Sequence, residues 1–361
     1  MSYPIPSYFL MLEEEDLDEL QSDIWNDDPV PAYMVIKNDL CDIDIAYRGS
    51  YTREFRKRSY QIDFIDPETY LGARQIHLNA EYRDPSLIRN KLSFDFFQEL
   101  GVLSPGSQHI NLIKNGSLKG VYLQLESVDD LFLEKRGLPL GPIYYAVNND
   151  ANFSLSRDGK KKKCLLSGYE RIVGNESDDA FLRKLIRKIN TTPLADFPDE
   201  IPQYINIEKY FYWLAGAVCT MNNDGFTHNY ALYRNSETGL YEIIPWDYDA
   251  TWGRRVDGGV MEYDFVPIKG KKSSKLCYLL LKVPKFRKLY QSILEEILET
   301  KFTVDHLESK VMSLYQALRP HVLLDPYKKS TVEEFDGEPE FIFQFIRDRN
   351  DYLKKSLKNL N

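Results

Sequence analysis

The sequence predicts an α+β chain in two successive parts, a strand-rich region over residues 1–126 and a largely helical region over 127–361. Three observations predict it. Up to Glu126 the apolar residues alternate with polar ones in short runs separated by Pro, Asn and Gly, which is the period of half-buried strands. An Asn-Gly pair at 115–116 joins two such runs, HINLIKNG and KGVYLQLES, and Asn-Gly is the strongest short-range hairpin signal. After Glu126 apolar residues recur at helical spacing.

Taken in order, EEDLDELQSDIW (14–25) reads as a short acidic amphipathic helix, and DPVPAYMVIKNDLCDIDIAYRG reads as strands broken by turn residues. SYQIDFI and RQIHLNA are further strands. DPSLIRNKLSFDFFQELG is expected to be one long helix entered at Asp84 before its Pro and stopped by Gly101. Helices are then expected in SVDDLFLEKRGL, DDAFLRKLIRKIN, INIEKYFYWLAGAVCTM, SKLCYLLLKVPKFRKLYQSILEEILET and the tail from Glu340 to Leu360. Lys160–Lys163 is expected to be a solvated loop, and Val256–Lys275 a flexible stretch.

Bulk composition narrows the function. A net charge of -9 disfavours a generic grip on nucleic acid or an anionic membrane and suits a basic partner. The cysteines Cys41, Cys164, Cys219 and Cys277 are far apart with no C-x-x-C pair, as expected of structural thiols in a reducing compartment. No apolar run approaches the ~18 residues of a membrane span, and the first residues lack the basic region of a signal peptide, so synthesis in the cytoplasm without membrane insertion is expected.

Two acidic signatures carry the chemistry. The helix INIEKYFYWLAGAVCTM leads into DGFTHN (224–229), a hairpin NYALYR/LYEIIPW follows, and its second strand delivers WDYD (246–249). In protein kinases a catalytic-loop Asp is followed five residues on by a metal-binding Asn, then by two short strands and a metal-binding Asp. Asp224, Asn229 and Asp247 reproduce that order and spacing. An Asp without a metal accepts the acceptor hydroxyl proton, while an amide oxygen and a carboxylate hold Mg²⁺ against nucleotide phosphates. Asp249 is either a further metal ligand or a turn cap, and His228 is expected to buttress the loop. A lone D-x-x-x-x-N is weak, since Asp and Asn fill loops for backbone reasons.

RGS (48–50), KRSY (57–60), HLNAEYRDPSLIRNKLS (77–93), DGFTHNYALYR (224–234) and IIPWDYDATWG (243–253) together resemble the CotH spore-coat protein kinases, over nearly the whole chain. The resemblance implies an atypical two-lobed kinase-like fold, ATP as donor with Mg²⁺ or Mn²⁺, and serine phosphorylation of spore coat proteins during sporulation. It also implies a role in outer coat assembly and passage from the mother-cell cytoplasm into the coat. It assigns Asp224 as the catalytic Asp, Asn229 as the amide metal ligand and Asp247 as the metal Asp. The triplet Asp247-Tyr248-Asp249 departs from the D-F-G of ordinary kinases.

No G-x-G-x-x-G loop exists in the strand-rich part, where Gly49 is the only glycine between Ala46 and Leu71, so phosphates must be held differently. Arg48, Ser50, Lys57 and Arg58 cluster around a turn that suits α/β-phosphates, with Lys57 as the ion-pairing lysine; a solvated basic loop is the plainer reading. Arg89 reaches either phosphate or an internal carboxylate. Trp246 and Tyr144 offer faces for adenine, or else are core aromatics, and Glu126 sits where a hinge contacting base or ribose begins. The expected acceptors are basic Ser-rich coat proteins, with Ser273 and Ser274 as candidate self-modification sites. Two other functions fit parts of the pattern. A metal-dependent glycosyltransferase would use Asp247 and Asp249 as D-x-D but leaves Asp224 and Asn229 idle, and a pseudokinase scaffold would organise the coat without turnover.

Overall fold

The computed structural model describes residues 3–157 and 159–360. These divide into two compact units. The first holds the residues up to Lys91 with Pro105–Ser127 and Ser309–Phe341, and the second holds Leu92–Ser104, Val128–Glu308 and the chain from Ile342 on. The division is therefore interleaved, unlike the single boundary after residue 126 read from the pattern change.

In the first unit β1 (Ser7–Met11), β2 (Val30–Ile36), β3 (Asp39–Arg48), β4 (Ser59–Asp66), β5 (Gln75–Asn79), β6 (Ser107–Lys114) and β7 (Ser117–Glu126) form a closed barrel in the order β1-β2-β3-β4-β5-β7-β6. Neighbours pair antiparallel except β1 with β6, whose parallel register sets Tyr8 against Leu112 and closes the ring. Closure removes the sheet edges that an open hairpin array would expose. Alternation fills the interior: β2 buries Val30, Ala32, Met34 and Ile36 and turns the residues between them outward. The Asn115-Gly116 turn has φ of 46° and 73°, the paired left-handed conformations of a type I′ hairpin. α1 (Glu14–Ser22) buries only Leu20 fully, as the acidic amphipathic pattern predicts.

α2 runs over Arg89–Glu99 and starts five residues later than expected. Leu87 has φ 61°, which an α-helix cannot contain, and Asp84 accepts from the Ser86 and Arg89 amides, so it caps the turn from outside. Most of this helix belongs to the second unit, so the strand-rich unit does not carry it as its one long helix.

The second unit contains a sheet in the order β11-β8-β12-β13, built from β8 (Ile143–Ala146), β11 (Tyr169–Val173), β12 (Tyr230–Arg234) and β13 (Tyr241–Pro245). β9 (Ser156–Arg157) and β10 (Lys160–Lys161) make a separate small hairpin through the lysine run. The chain also forms α3 (Asp130–Glu134), α4 (Asp179–Thr191), α5 (Phe197–Glu200), α6 (Ile207–Thr220), α7 (Lys275–Leu280), α8 (Pro284–Thr300), α9 (Val304–Val322) and α10 (Val332–Ser356), the last two running across the division between units. α4 buries Leu182, Leu185, Ile186 and Ile189, one helical stripe. The single helical run expected from Ser274 to Thr300 is split, because Val283 before Pro284 is extended and Pro284 opens α8. α9 was absent from the expected elements, and α10 begins eight residues before Glu340.

α6 is apolar nearly all round and buried accordingly, with Asn206 capping it by accepting from Lys209 N. At Gly216 a β-carbon would enter the van der Waals space of the Phe97 ring. Gly216→Ala is therefore expected to cost about 1–3 kcal/mol by overpacking. It should appear as a lower urea midpoint with unchanged slope; an unmoved midpoint would mean that the ring yields freely.

Candidate functional site

In the second unit the end of α6 sets the geometry. Met221 closes the helix in the left-handed conformation, φ 62°, and Asn222 is buried beneath the next turn. The Asn222 side-chain oxygen Oδ1 accepts from the main-chain amides of Asp224 (3.0 Å) and Gly225 (2.8 Å), an Asx turn that fixes the Asp224 backbone. Its amide nitrogen donates to the main-chain oxygen of Asp247 at 3.3 Å. One side chain thus ties the loop bearing Asp224 to the end of β13. Gly225 is tightly enclosed, since a β-carbon there would lie 3.2 Å from both the Asn222 amide carbon and the Tyr248 hydroxyl.

Asn229 immediately precedes β12, and Asp247 is the second residue after β13. Trp246 N donates to Asn229 O (3.1 Å), and the Asn229 side-chain nitrogen donates to Asp247 O (3.4 Å). Both residues have φ 58°, a conformation that Asn and Asp tolerate better than most. Such backbone clusters at functional sites, and its local cost is borne by the surrounding hydrogen bonds. With its nitrogen committed, the Asn229 amide leaves its oxygen for a cation. The Asp247 side chain is exposed, while Asp224 and Asp249 are half-buried.

Tyr248, between the two aspartates, is fully buried and packs edge-on against Phe97 at 5.0 Å. It anchors the turn, and its burial pushes the phenol far above the ordinary tyrosine range. Trp246 is half-buried with its ring 5.1 Å from Tyr145. Tyr144 is fully buried instead, its hydroxyl donating to Asp179 at 3.2 Å. The structure thus pairs Tyr145, rather than Tyr144, with Trp246, because successive strand residues face opposite sides. His228 contacts Asn149 through Nδ1 at 3.0 Å, and Thr227 donates to the same amide oxygen at 2.6 Å.

The basic candidates of the first unit separate. Lys57 is wholly buried, donating to Val121 O (2.5 Å) and to Asp325 (3.1 Å), with its charge 4.7 Å from the Tyr122 ring centre. Burial pulls its amine below the ordinary lysine range and Asp325 opposes that pull. A phosphate could reach it only if this pair parted. Arg89 is also fully buried, between Asp84 and Glu338 at 2.5 Å each, the internal alternative to a phosphate contact. Arg48 donates to Asn79, and Arg58 bonds Arg53 O (2.6 Å) and lies over the Tyr47 ring. Ser50 is exposed at the mouth of the turn, and Glu126 accepts from Gly106 N at 2.9 Å.

Sequence reasoning missed Asn222, Asn223 and Asp325. The first two were visible as the NND ahead of Gly225; Asp325 carried no local signal.

Among the described residues no group of three or more His, Cys, Asp or Glu could hold a metal. The set Asn229, Asp247 and Asp249 still suits Mg²⁺, which is held by one or two carboxylates together with substrate phosphates rather than by an all-protein cage.

The family described as CotH kinase protein matches residues 45–353. Inner spore coat protein H of Bacillus subtilis (strain 168) is 52% identical over 358 residues, covering 99% of this chain and 98% of that protein. An inner spore coat protein H-like protein of the same organism is 28% identical over 308 residues, 84% of this chain and 87% of that one. The crystal structure of a Helicobacter pylori proinflammatory kinase, CtkA, aligns over 91% of this chain and 94% of its own at 11% identity; its TM-score of 0.30 is too low to bear on the fold.

Proposed function

The chain belongs to the CotH kinase protein family, and from that premise we propose that it is an Mg-ATP-dependent protein kinase that phosphorylates serines of spore coat proteins. The observation that carries the reading is the clamp at the hairpin base. Asn229 and Asp247 stand together as left-handed residues joined by a hydrogen bond, and Asn222 links Asp247 to the loop of Asp224. Mg²⁺, when bound, neutralises phosphate charge as transfer proceeds. Asn229 and Asp247 would hold it, with Asp249 beside them. Asp224 takes the proton of the acceptor hydroxyl as that oxygen bonds to the γ-phosphorus; the bond to the β–γ bridging oxygen breaks and ADP leaves. Trp246, half-buried beside Asp247, is the remaining aromatic candidate for the adenine face.

The relative that is 52% identical is named an inner spore coat protein, so the proposal places this chain's acceptors in the coat without assigning a layer. Synthesis in the mother cell and incorporation into the coat accord with it. No helix among the described residues is long and apolar enough to cross a membrane. A D-x-D glycosyltransferase gains no support from the strands, which pair antiparallel except for β1 with β6. The test is transfer of labelled phosphate from ATP with Mg²⁺ to peptides that place Ser among basic or acidic residues. With a net charge of -9, the basic peptide is expected to show the higher kcat/KM, and its advantage should shrink as salt shortens the Debye length from about 8 Å. Equal values would assign the acidic surface to solubility, and absence of any transfer would leave the scaffold reading in its place.

A further inference from the structure

Residues 256–274 contain neither helix nor strand, yet the segment is held in place. Val266 and Ile268 are buried, Tyr290 donates to Ile268 O (2.7 Å), and Arg349 donates to Tyr263 O (2.7 Å). The flexible stretch expected from sequence is thus irregular but anchored, and it presents Lys271 to the loop of Asp224. The Lys271 amine donates to the side-chain oxygen of Asn223. The Asn223 nitrogen donates in turn to Asp224 Oδ1 at 2.9 Å. This order is chemically fixed: turning the amide over would set its donors against an ammonium and its oxygen against a carboxylate. The Lys271 amine also lies 5.6 Å from the centre of the Phe265 ring.

We propose that Lys271 is a positioning residue for Asp224, acting through Asn223 to hold one carboxylate oxygen so that the other faces the acceptor hydroxyl. The role rests on the phosphotransfer reading above. An aspartate's terminal torsion is broad, so without a fixed partner its oxygens exchange freely. A hydrogen bond to one of them selects the reactive rotamer before the acceptor arrives, and such preorganisation governs rate more than affinity. Because the lysine reaches the carboxylate through an amide rather than by direct pairing, it orients Asp224 without occupying both of its oxygens. The charges still interact: burial lowers the Lys271 amine below its ordinary range, and Asp224 works against that shift.

The test compares Lys271→Met, Lys271→Arg, Asn223→Ala and the Lys271→Met/Asn223→Ala double variant. Lys271→Met and Asn223→Ala are each expected to lower kcat about 10–100-fold with the Kd for Mg-ATP unchanged. The double variant should be no slower than either single one, since both act on one carboxylate, and Lys271→Arg should recover part of the rate. A raised Kd for Mg-ATP in Lys271→Met would make the lysine a phosphate ligand and overturn the positioning role, and so would an unchanged kcat. A measurement independent of turnover is the titration of the lysine ε-carbon by ¹³C NMR, which Asp224→Asn should move to lower pH by removing the opposing carboxylate. An unmoved titration overturns the coupling. A wild-type protein without transfer overturns the phosphotransfer reading and the role with it, whereas transfer indifferent to Lys271 overturns the role alone.

Discussion

Asp247→Ala is expected to abolish stabilisation by Mg-ATP and to lower phosphate transfer about a thousandfold or more. The residue is exposed just beyond β13 and supplies a carboxylate of the proposed ion site, so its removal leaves triphosphate charge uncompensated. Alanine also has to adopt the φ of 58°, which costs about 1 kcal/mol at a non-glycine residue. Asp247→Asn separates the two effects, because Asn accepts that backbone and the same shape while losing the charge. Both variants should lose the thermal shift with Mg-ATP, and only the alanine variant should also melt lower without ligand. Unaltered nucleotide affinity in both would remove Asp247 from the ion site.

Asp224→Asn separates binding from chemistry. Its backbone is set by Asn222, which the substitution does not touch. The thermal shift with Mg-ATP should therefore persist while kcat falls about 10²–10⁴-fold, the usual contribution of a positioned base. If Asp224→Asn loses nucleotide binding as well, Asp224 belongs to the ion site, and the assignment of roles along DGFTHN is reversed.

The fold was legible where local chemistry decides conformation. The Asn115-Gly116 hairpin, the alternation of β2 and β4, and the stripe of α4 follow from residues adjacent in sequence. The closing of the barrel was not legible, since pairing of β1 with β6 joins residues about a hundred positions apart and no local pattern encodes that parallel register. The start of α2 was misplaced for a related reason: Asp-Pro reads as a helix entry, but the Asp84 carboxylate is drawn into a buried pair with Arg89, and the backbone between them turns left-handed at Leu87. In the candidate site Asp224, Asn229 and Asp247 are brought together because a helix end and a two-stranded hairpin convert sequence distance into spatial distance almost rigidly. Lys57 and Arg89 had no such scaffold. Their environments depend on the carboxylates of Asp325 and Glu338, which lie hundreds of positions away.

Asp325→Ala is expected to cost about 3–5 kcal/mol of stability, the effect of removing one partner from a buried ion pair. One carboxylate oxygen accepts from Val121 N (2.9 Å) and Lys57 (3.1 Å), and the other accepts from Tyr327 N (2.8 Å), so the substitution strips a buried ammonium of its paired carboxylate and two amides of their acceptor at once. The ammonium dominates, because neither side chain of the pair reaches solvent. Burial already lowers the Lys57 amine, with the charge and hydrogen bond of Asp325 as the largest opposing influences; without them it falls further. Between that folded value and the ordinary lysine value near 10.4 the unfolded chain binds the extra proton, so stability rises with pH across that window. The deficit of Asp325→Ala relative to wild type should therefore be greatest below the folded value and narrow as pH rises through it. Lys57→Met/Asp325→Ala removes the stranded charge and should recover part of the loss at neutral pH while no longer showing this pH dependence. Denaturant midpoints from pH 6 to 10 for wild type and the two variants decide it. A deficit that is constant with pH, and equal in the single and double variants, would mean that Lys57 is not the charged partner and that the loss comes from the Val121 and Tyr327 amides alone.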